Sequence, residues 1–187
     1  TDGHRLALTC QALPSGASQM PSVILPRKAV GELRKLLDDH DGDVSVGLSE
    51  TRAEFGFGAV RLTSKLIDGT FPDYTRVIPA GNDRIMQVDA ASFSAAVDRV
   101  STISSEKSRS VKMGLKSGVL TLSASSTDAS SATEELEVTY DGPEMDIGFN
   151  ARYLLDIAGQ VNNDIVEFAL ANQGSPSLVR APGDDAS

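Results

Sequence analysis

The side chains of this 187-residue chain best suited to chemistry are its two histidines, its one cysteine and several grouped carboxylates. His4 stands close to Asp2, a pairing that suits acid–base or metal chemistry, but no second histidine lies nearby in sequence. Cys10 falls six residues beyond His4. On one strand the two would share a face yet sit roughly 20 Å apart, at about 3.3 Å per residue, too far for a thiolate–imidazole pair. Cys10 belongs to an alternating apolar run with Leu6 and Leu8, so it reads as a buried structural cysteine. His40 lies within Asp38-Asp39-His40-Asp41-Gly42-Asp43, which loosely follows a calcium-loop spacing but lacks the closing glutamate. A solvated helix-to-strand turn is the better reading. No Walker A loop, nucleophile elbow or dinucleotide fingerprint is present. The residues ask for no catalytic centre, no cofactor and no metal.

A second kind of chemistry is electrostatic. At 100° per residue, Arg27, Lys28, Arg34 and Lys35 share one sector of a helix, nearly opposite Val30, Leu33, Leu36 and Leu37. With 17 Lys+Arg against 26 Asp+Glu the net charge is −9, so the chain as a whole is no ordinary basic nucleic-acid binder. Four cations on one face are then either a solvated surface or a local anion-facing stripe. Such a stripe attracts a polyanion without reading its sequence.

The elements that must position these groups follow from periodicity. Helices are expected over Pro26–Leu37, Asp89–Val100 and Asn150–Gly159, with Pro26 presetting φ and Asp89 and Asn150 as N-caps. Their starts recur about every 62 residues. Each helix follows a short apolar strand (Val23–Leu25, Ile85–Val88, Met145–Phe149) and precedes alternating strands, among them Val44–Leu48, Val111–Leu115 and Ile165–Leu170. Further strands are expected around Phe55 and Phe57, Val60 and Leu62, Leu120 and Leu122, and Leu136 and Val138, with Lys116-Ser117-Gly118 as a hairpin turn. An additional strand is expected from Leu6 to Cys10. A strand–helix–strands unit repeated three times is an α+β architecture with helices gathered on one face of antiparallel sheets. Pro79, Gly81 and Asn82 mark a linker, placing a boundary near Ala80 that separates residues 1–80 from 81–187. Ser123–Ser131 reads as an exposed polar loop between strands.

Composition sets the outer bounds. An apolar fraction of 40% with 23% charged residues excludes collagen-like and wholly disordered chains. A lone cysteine cannot close an internal disulfide, which suggests a reducing, intracellular setting. No apolar run approaches the roughly 20 residues that span a bilayer, and no signal-peptide pattern opens the chain. Thr1 in place of Met, and a closing Pro182-Gly183-Asp184 turn, lead to the expectation of a piece of a longer protein.

Several segments together carry a family resemblance: Thr1-Asp2-Gly3-His4-Arg5-Leu6-Ala7, Pro26-Arg27-Lys28, Thr63-Ser64-Lys65-Leu66-Ile67-Asp68-Gly69 with Phe71-Pro72-Asp73-Tyr74, Val77-Ile78-Pro79, and Met145-Asp146-Ile147-Gly148-Phe149-Asn150. In this order the chain resembles the bacterial sliding clamp, the β subunit of DNA polymerase III, from most of the middle domain through the C-terminal domain. The resemblance implies sheets outside and helices lining a central channel. It implies a homodimeric ring around duplex DNA that makes the replicative polymerase processive, in the bacterial cytoplasm at the nucleoid, without catalysis of its own. The α subunit of the polymerase, the clamp loader, other polymerases and repair proteins would dock through short peptide motifs in a groove between the two domains. That groove would be formed by Thr1, Gly3, His4, Arg5 and Leu6, by Pro72, Arg76 and Val77, by Asn150 and Tyr153, and by Ser175 to Ser177. The resemblance would also set Arg27, Lys28, Arg34 and Lys35 toward DNA phosphates, and Arg99, Thr102 and Ile103 at the contact with the next subunit. Ser108 stands where some relatives carry an aromatic at the groove edge, and the family's closing Met-Pro-Met-Arg strand is not found in the sequence up to Ser187. The rival readings are a peptide-binding module without a DNA role and a hydrolase on the same repeat using Asp2 and His4.

Overall fold

The computed structural model describes residues 1–104, 109–126 and 130–184. The chain divides into two compact units, one of Thr1 with Leu6–Asp73 and one of Asp2–Arg5 with Tyr74–Ser187. The division falls between Asp73 and Tyr74, ahead of the Pro79–Asn82 stretch that the sequence marks as a linker. Tyr74–Arg76 forms a single helical turn, with Val77 and Ile78 N–H groups donating to Tyr74 O, at the start of the second unit.

The first unit holds one helix, α1 (Arg27–Leu37), and a meander of β1 (Ser45–Leu48), β2 (Arg52–Phe57) and β3 (Val60–Lys65) in the order β1-β2-β3, antiparallel throughout. Side chains alternate across a strand, so Ala53, Phe55 and Phe57 of β2 all point inward and are buried. Leu33 and Leu37 of α1 pack on them, together with Leu25, Val44, Leu48, Leu62 and Leu66. Pro26 caps the helix in extended conformation and accepts from Val30 N–H at 3.2 Å. Of the expected apolar sector only Leu33 and Leu37 pack; Val30 and Leu36, on its two flanks, are exposed. The turn after α1 is tied down locally: His40 N–H donates to Leu37 O, and the imidazole lies 5.2 Å from the Phe57 ring.

Two expected strands are absent. Leu6–Cys10 and Val23–Leu25 form no ladder, although Ile24 O accepts from Ile67 N–H at 2.9 Å. Alternation supplies two different faces but does not align a segment along a sheet edge: among the described residues β1 and β3 pair only with β2, and neither outer edge is taken up by these segments. Leu8 is consequently exposed, and Cys10 is a free, exposed thiol rather than the buried residue expected.

The second unit contains β4 (Arg84–Asp89), α2 (Ala90–Ser101), β5 (Ser110–Lys116), β6 (Val119–Ser125), β7 (Ser131–Glu137), β8 (Met145–Asn150), α3 (Ala151–Ala158), β9 (Ile165–Leu170) and β10 (Leu178–Arg180). They form two antiparallel sheets, β10-β9-β4 and β7-β6-β5-β8, joined by paired backbone hydrogen bonds between Gln87 and Thr139 at 2.9 Å. Of the Ser123–Ser131 run expected as a loop, Ser123–Ser125 belong to β6 and Ser131 opens β7, while residues 127–129 lie outside the described residues. The β5–β6 hairpin turns at Gly118, whose φ of 74° is open to glycine at no steric cost.

The repeat is visible in how its helices begin. In both α2 and α3 the last residue of the preceding strand is the cap: Asp89 Oδ1 accepts from Ser92 N–H at 2.8 Å, and Asn150 Oδ1 from Arg152 N–H at 3.0 Å. The next amide, Ala90 or Ala151, donates at 2.8 Å to the residue just before the antiparallel neighbour strand, Asp164 or Arg109. One strand-to-helix joint is thus used twice, and the three helix starts at Arg27, Ala90 and Ala151 are about 62 residues apart. The core between the sheets and helices is closed by Phe93 and Val97 of α2, Leu154 of α3, and Met86, Val111, Met113, Leu120, Leu122, Val166, Phe168 and Leu170 of the strands. Phe93 and Phe168 meet tilted, with ring centroids 5.2 Å apart.

Candidate functional site

The basic sector of α1 is formed by the first unit alone. Because Leu33 and Leu37 anchor the opposite side of the helix, Arg27, Lys28, Arg34 and Lys35 are all exposed on the outer side. Lys35 Nζ pairs with Glu32 at 3.2 Å, a surface contact with both partners largely in water. Such pairs contribute little, so the side remains strongly cationic in a chain of net charge −9.

The second unit brings another group of the sequence-expected residues together. Asp2 nucleates a tight turn: its Oδ1 accepts from the His4 N–H at 3.0 Å and the Arg5 N–H at 3.1 Å, while its own N–H donates to Arg5 O. Gly3 sits at φ 85° in the middle of that turn, where a Cβ would be strained. The turn delivers Arg5 to α3. The guanidinium carbon lies 4.4 Å from the Tyr153 ring centroid, Nη1 donates to Asp156 Oδ2 at 2.6 Å, and Nε donates to Asp2 Oδ2 at 3.2 Å. The His4 imidazole stacks beyond at 6.4 Å from the same tyrosine ring, with 26° between the planes. Arg152, one turn before Asp156, approaches the same carboxylate at 4.0 Å.

The electrostatics follow from these contacts. The His4 and Arg5 backbone amides, together with the Arg5 guanidinium, hold the Asp2 carboxyl below its ordinary value. The Asp156 carboxylate, aided by Asp2, keeps Arg5 even more firmly protonated than usual. Asp2 is therefore engaged as an acceptor on three donors rather than poised as the base that a hydrolase reading requires. Among the described residues no group of three or more His, Cys, Asp and Glu side chains is placed to hold a metal ion.

The remaining expected positions are distributed as follows. In the first unit Thr1 and Pro72 are exposed and Leu6 is half-buried. In the second, Arg76 and Val77 are exposed just after the division, Val77 at 60%. Asn150 serves as the α3 cap. Ser175 and Ser177 lie in the β9–β10 loop, which Asn82 pins by donating to Ala169 O at 2.8 Å and Pro176 O at 2.9 Å. The Ser177 hydroxyl is buried and makes no hydrogen bond among the described residues. Arg99 leaves α2 to form a two-pronged pair with Glu134 of β7, which raises the arginine and lowers the glutamate. Thr102 closes α2, its Oγ1 donating to Asp98 O at 3.1 Å, and Ile103 follows half-buried. Ser108 lies outside the described residues. Asp156 was not singled out by the sequence; its only signal is the spacing of three from Tyr153, which puts both on one helix face.

Comparison with known proteins gives this architecture its family. Residues 1–73 match the central domain of the DNA polymerase III beta subunit and residues 75–187 match its C-terminal domain. The beta sliding clamp of Caulobacter vibrioides is 50% identical over 184 residues, which is 98% of this chain and 50% of that protein. The beta sliding clamp of Escherichia coli K12 is 38% identical over 177 residues, 94% of this chain and 48% of its own length. Among solved structures, the sliding clamp of Bartonella birtlesii bound to griselimycin superposes with a TM-score of 0.94 at 53% identity, covering 99% of this chain and 50% of that one. The chain belongs to the DNA polymerase III beta subunit family, the bacterial sliding clamps. It spans about half the length of the curated relatives it matches.

Proposed function

We propose that this chain is the DNA-facing and partner-recruiting part of a sliding clamp: a homodimeric ring that encircles duplex DNA, confers processivity on the replicative polymerase, and performs no catalysis itself. The observation that carries the reading is the α1 side on which Arg27, Lys28, Arg34 and Lys35 are exposed together in an otherwise acidic protein. Contacts from such side chains to phosphates are independent of base sequence. An acidic remainder limits non-specific grip, which suits a ring that moves along its track.

The same reading assigns recruitment to a groove containing Thr1, Gly3, His4, Arg5, Leu6, Pro72, Arg76, Val77, Asn150, Tyr153, Ser175 and Ser177. The polymerase α subunit, the clamp loader and repair proteins would insert short peptide motifs there. Apolar Leu6, Pro72 and Val77 suit leucine or aromatic side chains, and the Arg5–Tyr153 stack offers a polar edge beside an aromatic face. Arg99, Thr102 and Ile103 would meet the partner subunit. No helix among the described residues is long and apolar enough to cross a membrane, and the proposed setting is the bacterial cytoplasm at the nucleoid. The test is titration of a labelled short peptide of Gln, Leu and Phe into the intact protein. Tyr153→Ala or Arg76→Ala should weaken binding roughly tenfold, the size of one lost anchor; unchanged affinity in both contradicts the groove assignment.

A further inference from the structure

The arrangement around Arg5 carries a statement about selectivity that rests on the peptide-groove reading above. The Arg5 guanidinium is fixed on three sides. Tyr153 lies under its face at 4.4 Å, Asp2 takes Nε at 3.2 Å and Asp156 takes Nη1 at 2.6 Å. Among the described residues nothing accepts from Nη2, and about a third of the side chain is open to solvent. Asp2 reaches Arg5 from the adjoining turn, as local geometry dictates, whereas Asp156 arrives from 151 residues away along the chain. Asp2, Arg5, Arg152 and Asp156 form a cluster of two acids and two bases, so the arginine presents a donor edge without a surplus of positive charge.

We propose that Asp156 is a specificity-determining residue: by pairing with Arg5 it clamps the guanidinium onto Tyr153 and cancels its charge, so that the open edge takes a neutral acceptor and disfavours an acidic side chain. A peptide carbonyl or a side-chain amide can accept from Nη2 in this setting. A carboxylate there would meet the Asp2 and Asp156 charges as well, and like charges brought together at an interface oppose binding.

The test compares two labelled peptides on the intact protein: a short sequence of Gln, Leu and Phe, and the same sequence with glutamate in place of glutamine. The wild type should favour the glutamine peptide. Asp156→Asn keeps the size of the side chain and removes its charge. It should shift the ratio of the two affinities toward the glutamate peptide by roughly tenfold, about one hydrogen bond to a charged group, and make that peptide's binding more salt-sensitive. A second variant, Asp156→Ala, should shift the ratio in the same direction, which a purely steric role would not do. Binding of both peptides to the variants with the wild-type ratio overturns the role of Asp156. Failure of both peptides to bind the folded wild type removes the groove reading on which it rests.

Discussion

Gln87 and Glu167 stand directly opposite each other in β4 and β9, and Gln87 Nε2 donates to Glu167 Oε2 at 2.9 Å. Arg180 of β10, opposite Glu167 on the other side, donates from Nε to Oε1 at 2.8 Å. One carboxylate, nearly shut off from solvent, therefore ties all three strands of the small sheet together through side chains. Its two donors, foremost Gln87, hold it below its ordinary value of 4.5.

Glu167→Ala should destabilise the second unit by about 2–4 kcal/mol, because Arg180 is left half-buried without its partner. Urea denaturation measures this directly. The pH dependence has a definite sign. A depressed carboxylate contributes fully above its unfolded value and loses that contribution as pH falls through its lower folded value. The stability gap between wild type and Glu167→Gln should stay constant above the ordinary glutamate value and narrow as pH falls from there through the lower folded value.

Phe93 is fully buried against Phe168. Phe93→Ala removes an aromatic contact and leaves a cavity between α2 and the β10-β9-β4 sheet, at a cost of about 3–5 kcal/mol. Phe93→Leu, which refills most of the space, should cost roughly half as much or less. Thermal melts of the three proteins would rank them.

The two caps should behave alike because the joints are alike. Asp89→Ala and Asn150→Ala each remove the acceptor for an amide in the first turn of their helix, and each should cost about 1 kcal/mol. Asp89→Asn should be nearly neutral at pH 7. Equilibrium denaturation of the single variants checks both, and an Asn150→Ala loss far above that of Asp89→Ala would show that the joints are not equivalent.

The sequence made the local features legible. Apolar spacing and capping residues placed α1, α2 and α3 within a residue or two, and the alternation in Arg52–Phe57 marked the strand that buries Ala53, Phe55 and Phe57. The repeat, too, could be read from the spacing of the caps. What could not be read is what depends on distant partners. Leu6, Leu8 and Cys10 alternate as a strand should, but alternation says nothing about whether the segment runs along a sheet edge, and in the structure Cys10 is exposed. The sheet order β10-β9-β4 joins segments some 80 residues apart in sequence. Asp156 looked like any solvated helix carboxylate until the Asp2–Arg5 turn was brought onto α3.

The basic side of α1 leads to the measurement that bears most directly on the proposed function. The intact protein, placed by its loader on closed circular duplex DNA, should remain associated through dilution and should be lost when the DNA is linearised. Reversing charge at Lys28 and Lys35 together should leave stability within about 0.5 kcal/mol of wild type and reduce loading or residence on the circle roughly tenfold. Association that survives linearisation, or that is indifferent to both reversals, would contradict encirclement with α1 facing the DNA.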